Sequence, residues 1–246
     1  MFNYLIKIEY DGTKFVGWQH QKNGISIQEK IEKALKKVLN IKVKINGAGR
    51  TDKGVHAFGQ FANFLIEKKI EDKIRFLNSI NFFLKKSLIS IITIREKENI
   101  FHARHHAKER IYEYQITNRR GSVSIDKNRS WHVKKKIDVN LLKKAAKLLE
   151  GTHDFSTFRA ASCSAKTPIK KMNLVKVEKR SDKIFIKFQS RSFLQNQVRS
   201  MVGCLKYLAT GKWNLKEFEN IFKSKKRILC APPAPAYGLY LFNVKY

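Results

Sequence analysis

The stretch Gly47-Ala48-Gly49-Arg50-Thr51-Asp52-Lys53-Gly54-Val55-His56 sets one carboxylic acid among two cations, a histidine and three glycines. An acid in a glycine-rich loop commonly does no more than bond its own backbone in a turn. The surroundings of Asp52 argue for more. Glycines let a chain approach a ligand closely, and Arg50 can contact a phosphate or stack on a base. Nearby cations favour the ionised form of the carboxyl group. An ionised, positioned carboxylate can serve as a nucleophile or as a base.

The whole chain sharpens this reading. Its 246 residues carry 51 Lys+Arg against 20 Asp+Glu, a formal net charge of +31 spread along the sequence. A body this basic repels itself unless it meets a polyanion, with nucleic acid the first candidate and an anionic membrane surface the second. An acid turned toward a polyanion is electrostatically unfavourable unless it has chemical work to do. Residues that are 43% hydrophobic and 11% aromatic fit a folded body with a sizeable core, not a disordered tail.

Other chemistries lack their residues. Cys163, Cys204 and Cys230 stand far apart without a CxxC, so three reduced thiols are expected rather than a disulfide framework or a cysteine zinc site. His102, His105 and His106 cluster without an acidic or cysteine partner, so no metal is expected there. A two-metal nuclease needs several converging carboxylates, and the Asp52 segment has one. No apolar run reaches the roughly 18–20 residues that span a bilayer, and the N-terminus lacks the apolar core of a signal peptide. A cytoplasmic protein is the expectation.

The elements that must position Asp52 are legible as periodicities. Residues 3–9 alternate as a strand and run into the turn signal Asp11-Gly12. Ser26 opens a helix whose apolar positions are Ile27, Ile31, Ala34, Leu35, Val38 and Leu39. Residues 41–46 read as a strand, 47–60 as a loop leading into another, 70–84 as a helix and 88–94 as a strand. That order, β-α-β-β-α-β, is a split ferredoxin-like unit. A similar rhythm follows: a strand at 111–117, a helix at 140–151 stopped by Gly151, and a hairpin at 174–180 and 183–191. A helix ending at Gly211, a basic helix at 214–226 and a closing strand come next. The expectation is an α+β fold of two ferredoxin-like halves, 1–105 and 106–246. They would share a mixed, mainly antiparallel sheet with helices on one side, and the second half would complete the cleft around the Asp52 loop.

GRTDKGVHA at 49–57 resembles the catalytic motif of the tRNA pseudouridine synthase A family. EYDGTKFVGWQHQ at 9–21, FHARHHAKERIYEYQI at 101–116, DFSTFRA at 154–160, SFLQNQVRSMVG at 192–203 and GLYL at 238–241 resemble further family blocks in the same order. The resemblance implies conversion of uridine to pseudouridine at positions 38, 39 and 40 of the tRNA anticodon arm, by a homodimer, with neither metal nor organic cofactor. It implies that Asp52 is the catalytic acid and that Tyr112 packs on the target uracil. Arg199 would pair with the acid, and Arg50 would help hold the flipped nucleotide. By pattern alone Tyr112 is a core tyrosine on an alternating strand, and Arg199 a snorkelling arginine on an apolar helix. His105-His106, Lys53 and Lys85 depart from the family's usual residues, and His105 and Lys53 bear on which positions are modified. The competing reading is a non-catalytic tRNA-binding protein or chaperone, which would need the basic surface but not Asp52.

Overall fold

A computed structural model describes residues 1–246, which divide into two compact units: Met1–Lys108 with Tyr240–Tyr246, and Glu109–Leu239. The chain is α+β, and its ten strands are mainly antiparallel.

The first unit is built from β1 (Phe2–Tyr10), α1 (Ile27–Leu39), β2 (Asn46–Gly47), β3 (His56–Ile66), α2 (Lys73–Leu84) and β4 (Ile89–Lys97). β1 pairs antiparallel with β3 on one side and β4 on the other, and β2 adds to β3. That 4-1-3-2 arrangement is what a split βαβ unit produces. Ser26 caps α1 by accepting the Glu29 amide at 3.1 Å, and Asp72 caps α2 by accepting the Arg75 amide at 2.8 Å. Tyr4, Ile6, Ile8, Ile31, Leu35, Phe64 and Ile80 fill the core, each fully buried. Asn3 and Asn63, also buried, bond each other at 2.9 Å and tie in the 98–103 loop through the Phe101 carbonyl and the Ala103 amide.

Of the strand expected over 41–46 only Asn46 is in one, as the first residue of β2. Ile45 is buried, but its amide donates to the Glu32 carboxylate at 3.1 Å and its carbonyl accepts from the Gln28 side chain at 3.3 Å. The backbone bonds are taken by side chains of α1, and a ladder has nothing left to use.

The second unit contains β5 (Glu109–Thr117), β6 (Trp131–His132), α3 (Val139–Leu148), β7 (Gly151–Asp154), β8 (Ile169–Arg180), β9 (Lys183–Ser190), α4 (Gln197–Ala209) and α5 (Leu215–Lys223). Its strand order is β5-β9-β8-β7, with β6 alongside β5. α3 packs against β8 and α4. α3 ends at Leu148 with Leu149 as its C-cap, short of the expected stop at Gly151, and Gly151, at φ 102, instead opens β7, which the helical pattern concealed. The closing strand, β10 (Leu239–Lys245), runs parallel to β3 through Tyr240↔His56 and Leu241↔Ala57 and so belongs mostly to the first unit. No helix is long and apolar enough to cross a membrane.

Candidate active site

Asp52 lies in the connection between β2 and β3, and the backbone around it is held from several sides. The Val55 amide closes a turn onto the Asp52 carbonyl at 3.1 Å. Gly54, inside that turn, sits at φ 78, where a Cβ would be strained. The Thr51 carbonyl accepts the Trp18 amide at 3.0 Å, and the Thr51 hydroxyl bonds the Tyr10 hydroxyl at 2.7 Å in a buried pair. On the N-terminal side of the loop, the Ala48 amide donates to the Phe61 carbonyl at 2.7 Å. The Gln60 side chain donates to the Gly49 carbonyl at 2.8 Å.

Close packing completes the grip. A Cβ on Gly12 would lie 2.0 Å from the Val55 carbonyl oxygen. On Gly17 it would lie 2.7 Å from the Thr51 carbonyl oxygen, and on Gly47 2.5 Å from the Trp18 indole. The segment from Tyr10 to Trp18 is therefore the bed on which the Asp52 loop rests. Phe15 and Trp18 are buried, as anchors of that bed. His56, also buried, accepts the Gly12 amide on Nδ1 at 3.0 Å and stacks on Tyr240 at 4.9 Å between ring centroids. The Asp11 carboxylate stands 3.4 Å from the same nitrogen. An amide can only donate, so Nδ1 is the acceptor, and the Asp11 contact is not a full ion pair.

The four residues singled out by sequence fall in both units. Asp52, half-buried, and Arg50, exposed, share the loop of the first. Tyr112 and Arg199 belong to the second. Tyr112 is a buried residue of β5, opposite Phe188 of β9, with its ring edge-on to Phe193 at 5.0 Å. Tyr114, two residues on, is wholly buried, donates its hydroxyl to the Pro235 carbonyl at 2.8 Å and packs where a Cβ on Gly238 would collide. Burial holds the Tyr114 hydroxyl well above the usual phenol range, the Tyr237 hydroxyl adding to this and Arg199 opposing it. Arg199, in the first turn of α4, donates Nε to the Ala234 carbonyl at 2.8 Å and Nη1 to the Asn196 side chain at 3.1 Å. The Ala234 amide donates back to the Arg199 carbonyl at 2.9 Å. Nε and Nη1 of the guanidinium fork are thus held by the protein itself.

His102 and His105 sit with ring centroids 4.4 Å apart, and burial followed by repulsion from His105 holds His102 below the usual histidine range. No group of three or more His, Cys, Asp or Glu comes together in metal-holding geometry.

The roles of Tyr10, Gly12, Gly17 and Thr51 did not emerge from sequence. The available signal was the density of Gly and aromatic residues in Tyr10-Asp11-Gly12-Thr13-Lys14-Phe15-Val16-Gly17-Trp18, which marks a tightly packed loop without naming what it packs on.

A family model described as tRNA pseudouridine synthase matches residues 6–105 and 145–246. The chain belongs to the tRNA pseudouridine synthase family. Arg50, Asp52 and Arg199 lie within the matched segments, and Tyr112 lies in the interval between them. Among the relatives that carry the name tRNA pseudouridine synthase A, three illustrate the likeness. The one from Pelagibacter ubique is 55% identical over the whole of both chains. That from Parvibaculum lavamentivorans is 42% identical over the whole of both, and that from Maricaulis maris 41% identical over all of this chain and 98% of its own. A chain of a solved Cbf5-Nop10-Gar1 complex aligns with 83% of this chain and 53% of its own, at 13% identity and a TM-score of 0.35, too loose a likeness to carry an argument.

Proposed function

We propose that this chain converts uridine to pseudouridine at positions 38, 39 and 40 in the anticodon arm of tRNA, working as a homodimer, with Asp52 as the catalytic carboxylate. Membership of the family carries the isomerisation of tRNA uridine. The observation that supports Asp52 is the holding of its loop: the peptide units at Thr51 and Asp52 are bonded and packed on the Tyr10–Trp18 bed, while the side chain stays half-buried. Fixing a backbone so closely around one acid is what a preorganised catalytic group requires.

The reaction breaks the N1–C1′ glycosidic bond, turns the uracil and joins C5 to C1′. An ionised carboxylate beside the ribose could begin it by attacking C1′ or C6, or by taking the C2′ proton, and each route needs the same placement. The target base must first leave the stack, at a cost of a few kcal/mol. Phosphate contacts from the basic surface offset that cost without reading sequence. In this reading Arg50, exposed on the same loop, holds the extruded nucleotide. Tyr112 presents a flat face to the uracil, and Arg199 offers an always-charged planar partner to the acid.

The test uses unmodified tRNA and maps pseudouridine by carbodiimide-stop sequencing. Replacing Asp52→Asn keeps the size of the side chain and removes its charge. Turnover at positions 38, 39 and 40 should fall by at least about 10²–10⁴-fold, with tRNA affinity nearly unchanged. Wild-type turnover in D52N would remove Asp52 from the mechanism. Modification confined to uridines outside the anticodon arm would remove the positional assignment.

A further inference from the structure

The reaction has no use for thiols, yet two of the three cysteines meet. Cys204, in the middle of α4, and Cys230, just after the short turn Arg227–Leu229, have their sulfurs 3.4 Å apart. Their environments are unequal. Cys204 is fully buried, whereas Cys230 is only partly covered, so Cys230 is the one of the two nearer solvent. The Ala231 amide donates to the Cys204 sulfur at 3.4 Å. The Arg227 guanidinium lies beside Cys230 and donates to the Ser200 hydroxyl at 3.1 Å. Contact with the Cys204 thiol, aided by Arg227, holds Cys230 below the ordinary thiol range against the effect of burial. The same contact and burial hold Cys204 well above it. A partly exposed cysteine next to a cation, its sulfur touching a second thiol, has the arrangement of an attacking and a resolving cysteine.

We propose that Cys230 and Cys204 are a peroxide-reactive pair, a modification site on the segment that holds Arg199. The Cys230 thiolate attacks one peroxide oxygen, the O–O bond breaks, and Cys230 becomes a sulfenic acid as hydroxide leaves. The Cys204 sulfur then attacks that sulfenic sulfur. Its proton leaves with the departing hydroxyl as water, and a disulfide forms. Overall two thiols and one hydrogen peroxide give one disulfide and two waters.

The bond draws the sulfurs from contact to about 2.05 Å, and so pulls the chain at residue 230 against α4. Four residues on, Ala234 accepts Arg199 Nε at 2.8 Å and donates its amide to the Arg199 carbonyl at 2.9 Å. Closure of the disulfide therefore shifts the anchor of the Arg199 fork and slows turnover. This last step rests on the role proposed above for Arg199; the formation of the bond does not.

The experiment uses the full chain, reduced, desalted and treated with a few equivalents of hydrogen peroxide, then alkylated and digested with trypsin. Cleavage at Arg199, Lys206, Arg227 and Lys245 releases Cys204 in peptide 200–206 and Cys230 in 228–245, while Cys163 leaves in 160–166. The expected product is peptide 200–206 joined to 228–245, lost on treatment with a phosphine reductant, with Cys163 still alkylated. Cys204→Ala should instead trap Cys230 as a sulfenic acid that dimedone labels. Should both cysteines be alkylated as freely as before treatment, or pass to sulfinic acid without a linked peptide, the pair is inert and the proposal is overturned. Turnover of the linked form should fall at least tenfold and return on reduction, and Cys230→Ser should be insensitive to peroxide. A linked form that turns over like the reduced one overturns the coupling to Arg199. If Arg199→Lys proves fully active, the fault lies with the role of Arg199, and the peptide link still reports on the thiols.

Discussion

Around Asp52 the protein grips the main chain. The Thr51 carbonyl, the Asp52 carbonyl and the Ala48 and Val55 amides all take part in hydrogen bonds, and Gly12 and Gly17 bring one backbone against another. Around Arg199 the protein grips the side chain. Nε is set by the Ala234 carbonyl and Nη1 by the Asn196 side chain, and the backbone adds one tie, the Ala234 amide on the Arg199 carbonyl, in a helical turn that follows a left-handed Asn196. The difference follows from reach. Aspartate has two side-chain torsions, so placing its backbone nearly places its carboxylate. Arginine carries far more rotamer freedom, and a placed backbone leaves its fork undetermined until hydrogen bonds choose one arrangement. Activity should therefore be lost by disturbing backbone packing far from the acid in the first unit, and by disturbing donor geometry in the second.

The largest effect outside Asp52 itself is expected from Gly12→Ala. The new Cβ would lie 2.0 Å from the Val55 carbonyl oxygen and 2.6 Å from its carbon, and neither is the end of a flexible side chain. The Asp52 loop must move off its bed. Overpacking of this kind costs about 1–3 kcal/mol of stability, and a displacement of about 1 Å at a catalytic group costs about 10²-fold in rate. Steady-state kinetics should show kcat down by about that factor with tRNA affinity close to wild type. Gly121→Ala, where a Cβ meets nothing within 4 Å, is the control and should be silent. Equal kinetics for the two alanine variants would show that the bed does not position the acid.

Arg199→Lys probes the other mode. Lysine keeps the charge but has no fork, so it cannot reproduce both the Ala234 and the Asn196 contact. Turnover should fall by about 10- to 10²-fold, a loss of some 1.4–2.8 kcal/mol from the transition state, with KM little changed. A rise in KM at constant kcat would instead make Arg199 a ground-state tRNA contact.

These two modes also explain what could be read from sequence. The Ser26 cap of α1, the β8–β9 hairpin and the apolar stripe of α4 are local patterns and formed where sequence placed them, whereas α2 starts at Lys73 behind an Asp72 cap, three residues later than the 70–84 spacing implied. Asp52 draws attention in the sequence because an acid in a loop of glycines within so basic a chain is out of place electrostatically. The failures were non-local. Ile41, Val43 and Ile45 alternate like a strand, but Gln28 and Glu32 of α1 claim the backbone of Ile45. Gly12 reads as half of an Asp-Gly turn signal, yet what it touches is Val55, which only the pairing of β1 with β3 brings near. Periodicity reports which way a residue faces, not what stands opposite it.

The smallest effect, and the one that separates placement from stability most cleanly, is expected at the Tyr10–Thr51 hydroxyl pair. The two oxygens are 2.7 Å apart, Tyr10 is 3% exposed and Thr51 6%. Tyr10→Phe removes one partner and leaves the Thr51 hydroxyl buried without it, at a cost of about 1–3 kcal/mol in unfolding free energy. Thr51→Val does the same from the other side. The double variant replaces both partners with apolar groups of similar shape, which can be nearly neutral for stability. If the pair matters only for stability, turnover in the double variant should recover along with the melting temperature. If the pair also sets the height of the Thr51–Asp52 peptide above its bed, stability returns while kcat stays a few-fold low, because no directional bond remains to define that height. The second outcome is expected. A double-mutant cycle measured by both denaturation and turnover decides between them, and full recovery in both would reduce this hydroxyl pair to a packing element.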